Sequence, residues 1–313
     1  MAKQMKGILL AAGGASLWGG SGAAAQYLFS QTGINTTWLV AVRLLLAGLF
    51  LTIISLIKVP MQVRQIVKSR RYLSWLIAFA VFGMLNSQLT YFLAVNYSNA
   101  PTATVLQYLQ PVIIIVWLAF SKRQWPRRID CISILIALVG TFLLVTGGHL
   151  GTLALTPRAI FWGIWCAVAA ALYTLLPRTL LTKFDSLAVC GLAMLLGGIC
   201  MLPEIIVSAV PSLSVNDWIL VAYIVVFGTM LSYTMFLQSM RYITPSATGI
   251  LSAFEPLVAT LLAVTLLGTK LTGAAIVGSL LILLTTLLQS VPANYFQRIL
   301  THNFLLAIKR KNK

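Results

Sequence analysis

Long apolar runs separated by short polar links dominate this chain. An α-helix needs about 17 to 25 residues to cross the hydrocarbon of a bilayer. Runs of that length predict ten spans, near 7–30, 36–57, 72–95, 101–121, 130–147, 159–176, 186–208, 217–239, 245–267 and 271–290. The links are mostly short, so successive helices are expected to lie antiparallel and side by side. Every Lys and Arg except Arg43, Arg158 and Lys270 falls before the first span, in the links after the second, fourth, sixth and eighth, or in the tail. Basic residues stay on the cytoplasmic side, which predicts cytoplasmic N- and C-termini. The expected fold class is an all-α integral membrane protein with ten transmembrane helices.

The same pattern contains a repeat. Val81 to Val116, shifted by 145 positions, lands without a gap on Val226 to Leu261. Val81, Phe82 and Gly83 match Val226, Phe227 and Gly228; Ser87, Tyr97, Leu106 and Pro111 match Ser232, Tyr242, Leu251 and Pro256. Five spans per half is an odd number, so the second half must enter the membrane upside down, giving a 5+5 inverted repeat. The expected units are 1–148, an outer linker 149–157, 158–291, and a basic cytoplasmic tail 292–313. In that tail Phe296, Ile299, Leu300, Phe304, Leu305 and Ile308 alternate with basic residues, as in an amphipathic helix on the inner leaflet or a frayed basic end. Lys3, Lys6 and Ala23-Ala24-Ala25 imitate a secretory signal. Cleavage there would remove the first helix of a five-helix half.

Composition reinforces the membrane reading. The chain is 59% hydrophobic and 9% charged, with mean hydropathy +0.94, whereas about 25% charged is ordinary for a soluble domain. The net charge of +17 is distributed between spans as a topology signal, so no nucleic-acid partner is expected. Cys131, Cys166, Cys190 and Cys200 lie in or beside apolar runs without metal-ligand spacing, and behave as small hydrophobes. Neither a metal nor a cofactor is implied.

Ionisable groups inside a membrane are costly and therefore candidate functional residues. Glu255 lies about halfway between Arg241 and Lys270, near the midplane, and no other acidic residue is well inside a span. It is a candidate for a cation, an ammonium group or a transported proton, or else a structural carboxyl. Arg43 lies roughly 10 Å into the second span at 1.5 Å per residue. It is a candidate for a substrate carboxylate, for pairing with Glu255, for snorkelling or for capping carbonyls. Pro111 and Pro256, in mid-span, displace the carbonyls four residues back, those of Gln107 and Ser252, and predict helix kinks. Gly249, Ser252, Pro256 and Thr260 form one small polar face, and Thr104, Gln107, Tyr108 and Pro111 another. These faces are expected either to flank a central cavity or to pack closely through small residues. Further candidates for the cavity lining are Trp18, Ser21, Gln26, Asn86, Gln88, Tyr91, Trp165, Tyr173 and Tyr233.

Gly19-Gly20-Ser21-Gly22 matches the G-x-S-G of intramembrane serine proteases. A nucleophile needs a base within reach, and the two histidines, His149 and His302, fall in an outer link and in the tail. The string therefore reads as a site of tight helix contact, with no catalytic residue expected. No phosphate-binding loop is present, so an ATP-driven pump is not supported.

Trp18-Gly19, Arg43, Tyr97 and Tyr242 with the residues that follow them, Gln110-Pro111 and Glu255-Pro256 together resemble the EamA family of the drug/metabolite transporter superfamily. The likeness extends over about residues 7 to 290 and rests on the order of the motifs. It implies ten helices in an inverted repeat, cytoplasmic termini, a cavity lined by helices one to four and six to nine, and efflux of small metabolites or amino acids without ATP. The family often carries an acid just past the fourth and ninth helices; here Phe120-Ser121-Lys122-Arg123 and Leu267-Gly268-Thr269-Lys270 stand there. The expected function is secondary transport across the cytoplasmic membrane by alternating access, exporting small metabolites such as amino acids. Glu255, Ser252, Gln107, Tyr108 and Arg43 form the expected substrate or proton site. Efflux of cationic drugs or quaternary amines, an uncoupled channel-like facilitator and a non-transporting scaffold are the alternatives. The expected partners are a small molecule, the bilayer and a coupling proton, with homodimerisation through peripheral helices as a further option.

Overall fold

A computed structural model of the chain describes residues 2–122, 128–149, 153–208 and 211–290. Arg123, Arg127, His302 and the tail 292–313 with its expected amphipathic helix lie outside the described residues. Helix starts follow from local chemistry. The Asn35 side chain accepts the Thr37 N–H to start α2 (Thr36–Lys58), which follows α1 (Ala2–Gln31). α3 (Pro60–Lys68) opens on a proline whose missing N–H needs no partner there, and α4 (Arg70–Ala78) continues through a π-helical segment, Phe79–Leu85, into α5 (Asn86–Tyr97). Asn99 caps α6 (Ala100–Gln107), which is followed by α7 (Gln110–Lys122) and α8 (Arg128–Thr146).

Thr156 caps α9 (Pro157–Leu175), and α10 (Arg178–Leu181) leads to α11 (Ser186–Cys200), capped by Asp185. After α12 (Leu202–Val207), a Ser214–Asp217 capping box starts α13 (Val215–Val225). A second π-helical segment, Val226–Leu231, joins α13 to α14 (Ser232–Ser239). Thr244 caps α15 (Pro245–Leu251), followed by α16 (Phe254–Leu267) and α17 (Gly273–Ser290). Among the described residues there are no strands.

Eight helices among the described residues are long and apolar enough to cross a membrane; Ser186–Cys200 and Gly273–Leu288 are apolar but shorter. The seventh expected span, 186–208, is interrupted at Met201, because Pro203 occupies the first turn of α12. The expected kinks at Pro111 and Pro256 are complete breaks: one helix ends at Gln107 or Leu251, and the proline sits in the first turn of the next. Both π segments overlap the stretches that match at an offset of 145, containing Gly83 and Gly228 respectively.

Small residues let helix backbones approach where water cannot drive packing. A Cβ on Gly198 of α11 would lie 2.6 Å from Leu45 Cα of α2, and one on Gly48 would collide with the Leu195 backbone. Gly140 of α8 and Gly278 of α17 face each other in the same way. The outer faces of that pair, including Leu135, Leu138, Ile276 and Leu280, are exposed. At one end of the bundle Lys6 lies 5.2 Å from the Tyr242 ring, Lys183 donates to Tyr72, and Arg241 pairs with Asp185 at 3.2 Å. At the other end Gln26 donates to Thr269 and accepts the Ala100 N–H, and Glu204 accepts from Asn35 and Thr37.

Gly48→Val is expected to lower the thermal unfolding midpoint in detergent, since overpacking costs about 1–3 kcal/mol. Gly273→Ala, where a Cβ meets nothing within 4 Å, should leave the midpoint in place. Equal midpoints for both variants would contradict the close approach of α2 and α11.

Candidate functional site

The site is built around α1, whose consecutive residues Gly19 to Gly22 each face a different neighbour. A side chain on Gly19 would strike the Glu255 carbonyl of α16, and one on Gly20 the Tyr223 hydroxyl of α13. Ser21 packs on Gly228 of the second π segment, and Gly22 meets the Tyr91 hydroxyl of α5. The string is therefore the close-contact element that its composition implied. One residue earlier, the Trp18 ring stands edge-on to Tyr233 at 4.9 Å and beside Phe236 at 4.8 Å.

Arg43 of α2 is buried, 3% exposed, and its partners come from the second π segment. Thr229 gives its own proton to the Ile224 carbonyl, so its oxygen is free to accept, and Arg43 Nε donates to it at 2.5 Å. Nη2 reaches the Gly228 carbonyl at 3.4 Å, and the guanidinium stacks over Phe92 at 4.7 Å. Nη1 is buried with no hydrogen-bond partner among the described residues. The snorkelling alternative does not describe this side chain, which stays inside; the carbonyl-capping alternative does. Arg43 and Glu255 make no direct ion pair, though each lies within Coulombic reach of the other.

Glu255, in the first turn of α16, accepts no hydrogen bond on its carboxylate among the described residues, and Tyr91, Tyr108 and Tyr233 lie within its Coulombic reach. The remaining four acids cluster with helix ends: Asp185 and Asp217 cap, Glu204 joins Thr37, and Asp130 lies in the first turn of α8. At the break before Glu255, the Ser252 carbonyl freed by Pro256 accepts the Glu255 N–H at 2.9 Å and the Tyr108 hydroxyl at 2.6 Å. Tyr108 is itself at the other break, so the two interruptions are bonded to each other. Nearby, Gln88 donates to Tyr233 at 2.8 Å. Thr104 spends its proton on Ala100, so the 3.0 Å contact with Tyr91 is donated by the tyrosine.

The structure thus brings together Trp18, Arg43, Gln88, Tyr91, Tyr108, Tyr233, Ser252 and Glu255, with Tyr173 beside Tyr233. Gln107 ends α6, and its side chain makes no hydrogen bond among the described residues. Asn86 departs from expectation. It accepts from Trp165 at 3.3 Å on a partly exposed face, whereas Gln88 and Tyr91 of the same helix are buried. Gln26 fastens one end of the bundle rather than lining the cluster. Sequence reasoning missed Thr229, whose signal is a hydroxyl one residue after the repeated glycine, and named Gln110 only within a motif, whereas its side chain donates to Thr174 of α9.

Two cavities among the described residues are lined by none of these side chains. One, of about 240 Å³ and lined by Lys58, Asp185, Thr234 and Arg241, opens at the basic end; the other, of about 360 Å³, is apolar and lined by Ala23, Tyr27, Tyr223 and Leu266.

The profile of the EamA-like transporter family matches residues 5–146 and 157–291. The chain belongs to the EamA-like transporter family. An uncharacterized inner membrane transporter of Salmonella typhimurium, YicL, is 39% identical over 293 residues, covering 93% of this chain and 97% of that protein. An uncharacterized transporter of Bacillus subtilis, YxxF, is 27% identical over 53% of each chain. A solved crystal structure shares the fold with TM-score 0.62 at 18% identity, covering 95% of this chain and 99% of that one. This family member is accordingly a membrane transporter, with a small-molecule substrate and a bilayer environment.

Thr229→Val should destabilise the protein by about 1.5–3 kcal/mol, since it leaves a charged donor without its acceptor. Tyr108→Phe should cost less, about 1 kcal/mol. Unfolding midpoints of the purified variants check the order; a larger loss for Tyr108→Phe would show that Thr229 does not hold Arg43.

Proposed function

We propose that the protein is a secondary transporter of the cytoplasmic membrane that exports small metabolites such as amino acids by alternating access. The observation that carries this reading is a carboxylate, Glu255, and one nitrogen of a buried guanidinium, Arg43, both without hydrogen-bond partners among the described residues and facing the same cluster where two helices break. A membrane protein keeps such groups at a cost, and this pair suits a molecule carrying both an ammonium and a carboxylate. The positive charge of Arg43 disfavours a quaternary amine. Glu255, Ser252, Gln107, Tyr108 and Arg43 would form the substrate or proton site, with Trp18, Gln88, Tyr91, Tyr173 and Tyr233 around it.

The architecture we infer is ten helices in two inverted five-helix repeats, 1–148 and 158–291, joined by an outer linker, with both termini cytoplasmic. The family profile's two matched stretches support it, as do the paired π segments and paired breaks. Discontinuous helices at equivalent positions of two repeats are a recurrent transporter device. Rocking of one repeat against the other would expose the cluster first to the cavity at the basic end and then to the opposite side.

The test is an untargeted metabolite profile of the medium from cells expressing the native protein or Glu255→Gln at equal level. A metabolite enriched outside by the native protein should fall about tenfold or more in the variant, the loss expected for one charge-assisted contact. Flux that stays unchanged and pH-dependent in Glu255→Gln would remove that residue from any proton step; flux that neither saturates nor responds to a pH gradient would favour an uncoupled facilitator.

A further inference from the structure

We propose that α3, with the first turn of α4, docks anionic phospholipid head groups and links them to the mouth of the cavity at the basic end. α3 belongs to no membrane span. It packs Val63 and Ile66, 5% and 0% exposed, into the core and leaves its other faces open. Lys58, Arg64, Lys68, Arg70 and Arg71 are all exposed, and no acidic residue occurs in the chain before Asp130. Among them stand exposed apolar groups, Met61 at 74% and Val67 at 48%, with Trp75 at 40% on the next helix.

That combination selects the occupant. A soluble phosphate or nucleic acid would neutralise the cations but leave Met61, Val67 and Trp75 in water. A bilayer surface accepts both: the apolar side chains enter below the head groups, where Trp is favoured, and the cations meet anionic lipid phosphates. α3 is also joined to the cavity. Gln62 accepts the Asp185 N–H at 2.6 Å, Asp185 pairs with Arg241 at 3.2 Å, and Lys58, Val59, Asp185 and Arg241 line the 240 Å³ cavity. Seating α3 on an anionic surface therefore fixes one wall of that mouth. The inference rests on the transporter reading only for the side of the membrane on which α3 lies.

The experiment uses the purified full-length protein and needs no transport substrate, so its result is separable from that of the export test. Unfolding midpoints are measured while phosphatidylglycerol, phosphatidylcholine or soluble glycerol phosphate is titrated into detergent micelles. Phosphatidylglycerol alone should raise the midpoint, and the fourfold variant Arg64→Gln, Lys68→Gln, Arg70→Gln, Arg71→Gln should need about fivefold more of it per neutralised residue. A separate control with Lys3→Gln and Arg178→Gln should titrate like the native protein. An equal response to phosphatidylcholine, an undiminished response of the fourfold variant, or full replacement by glycerol phosphate overturns the docking. The link to the mouth is read by alkylation of Ser186→Cys, followed by peptide mass spectrometry. Phosphatidylglycerol should change the rate at least severalfold, and adding Gln62→Leu should abolish that change; a rate indifferent to lipid overturns the link.

Discussion

Backbone carbonyls cannot be left bare in hydrocarbon, and among the described residues this chain interrupts its helical ladder at two π segments and at breaks beside Pro111, Pro203 and Pro256. The rest of the interior is arranged to answer for those breaks. The Ser252 carbonyl is met by Tyr108, the Ile224 carbonyl by Thr229, and the Gly228 carbonyl by Arg43. The donors come from other elements in the first and third cases. Two of these three carbonyls are thus met by a side chain of another helix, and those two contacts tie the helices together.

Arg43 is the most demanding of these repairs. Burying a guanidinium is strongly unfavourable unless its donors are matched, yet Nη1 has no partner among the described residues and Phe92 supplies only a ring face. In the proposed function that uncommitted nitrogen, beside a carboxylate within Coulombic reach, is room for a charged guest.

Much of this was written legibly in the residues. Apolar run lengths marked the spans because the bilayer imposes a length, and the lone Glu255 stood out because acids are excluded from hydrocarbon. Pro111 and Pro256 announced local trouble, but whether a proline bends a helix or ends it depends on neighbours such as Tyr108 that can donate to the freed carbonyl, which sequence spacing does not reveal. The π segments were illegible for a related reason. One added residue in a turn leaves no propensity signature. The Pro203 break was readable in principle, since the proline stood near the end of a long run and was passed over as part of it. The role of α3 as a separate helix was hidden because its basic residues already had an explanation in topology.

The four contacts of Gly19, Gly20, Ser21 and Gly22 have a mechanical consequence. Successive residues of a helix point about 100° apart, so these four together cover almost the whole circumference of α1, and each is pressed against a different element. A helix gripped on every side at one level can neither spin nor slide past all its neighbours at once. α1 behaves as a fixed axle: any large displacement must carry it with one group of helices and shear it from the other, and the plane of shear passes through this tetrapeptide.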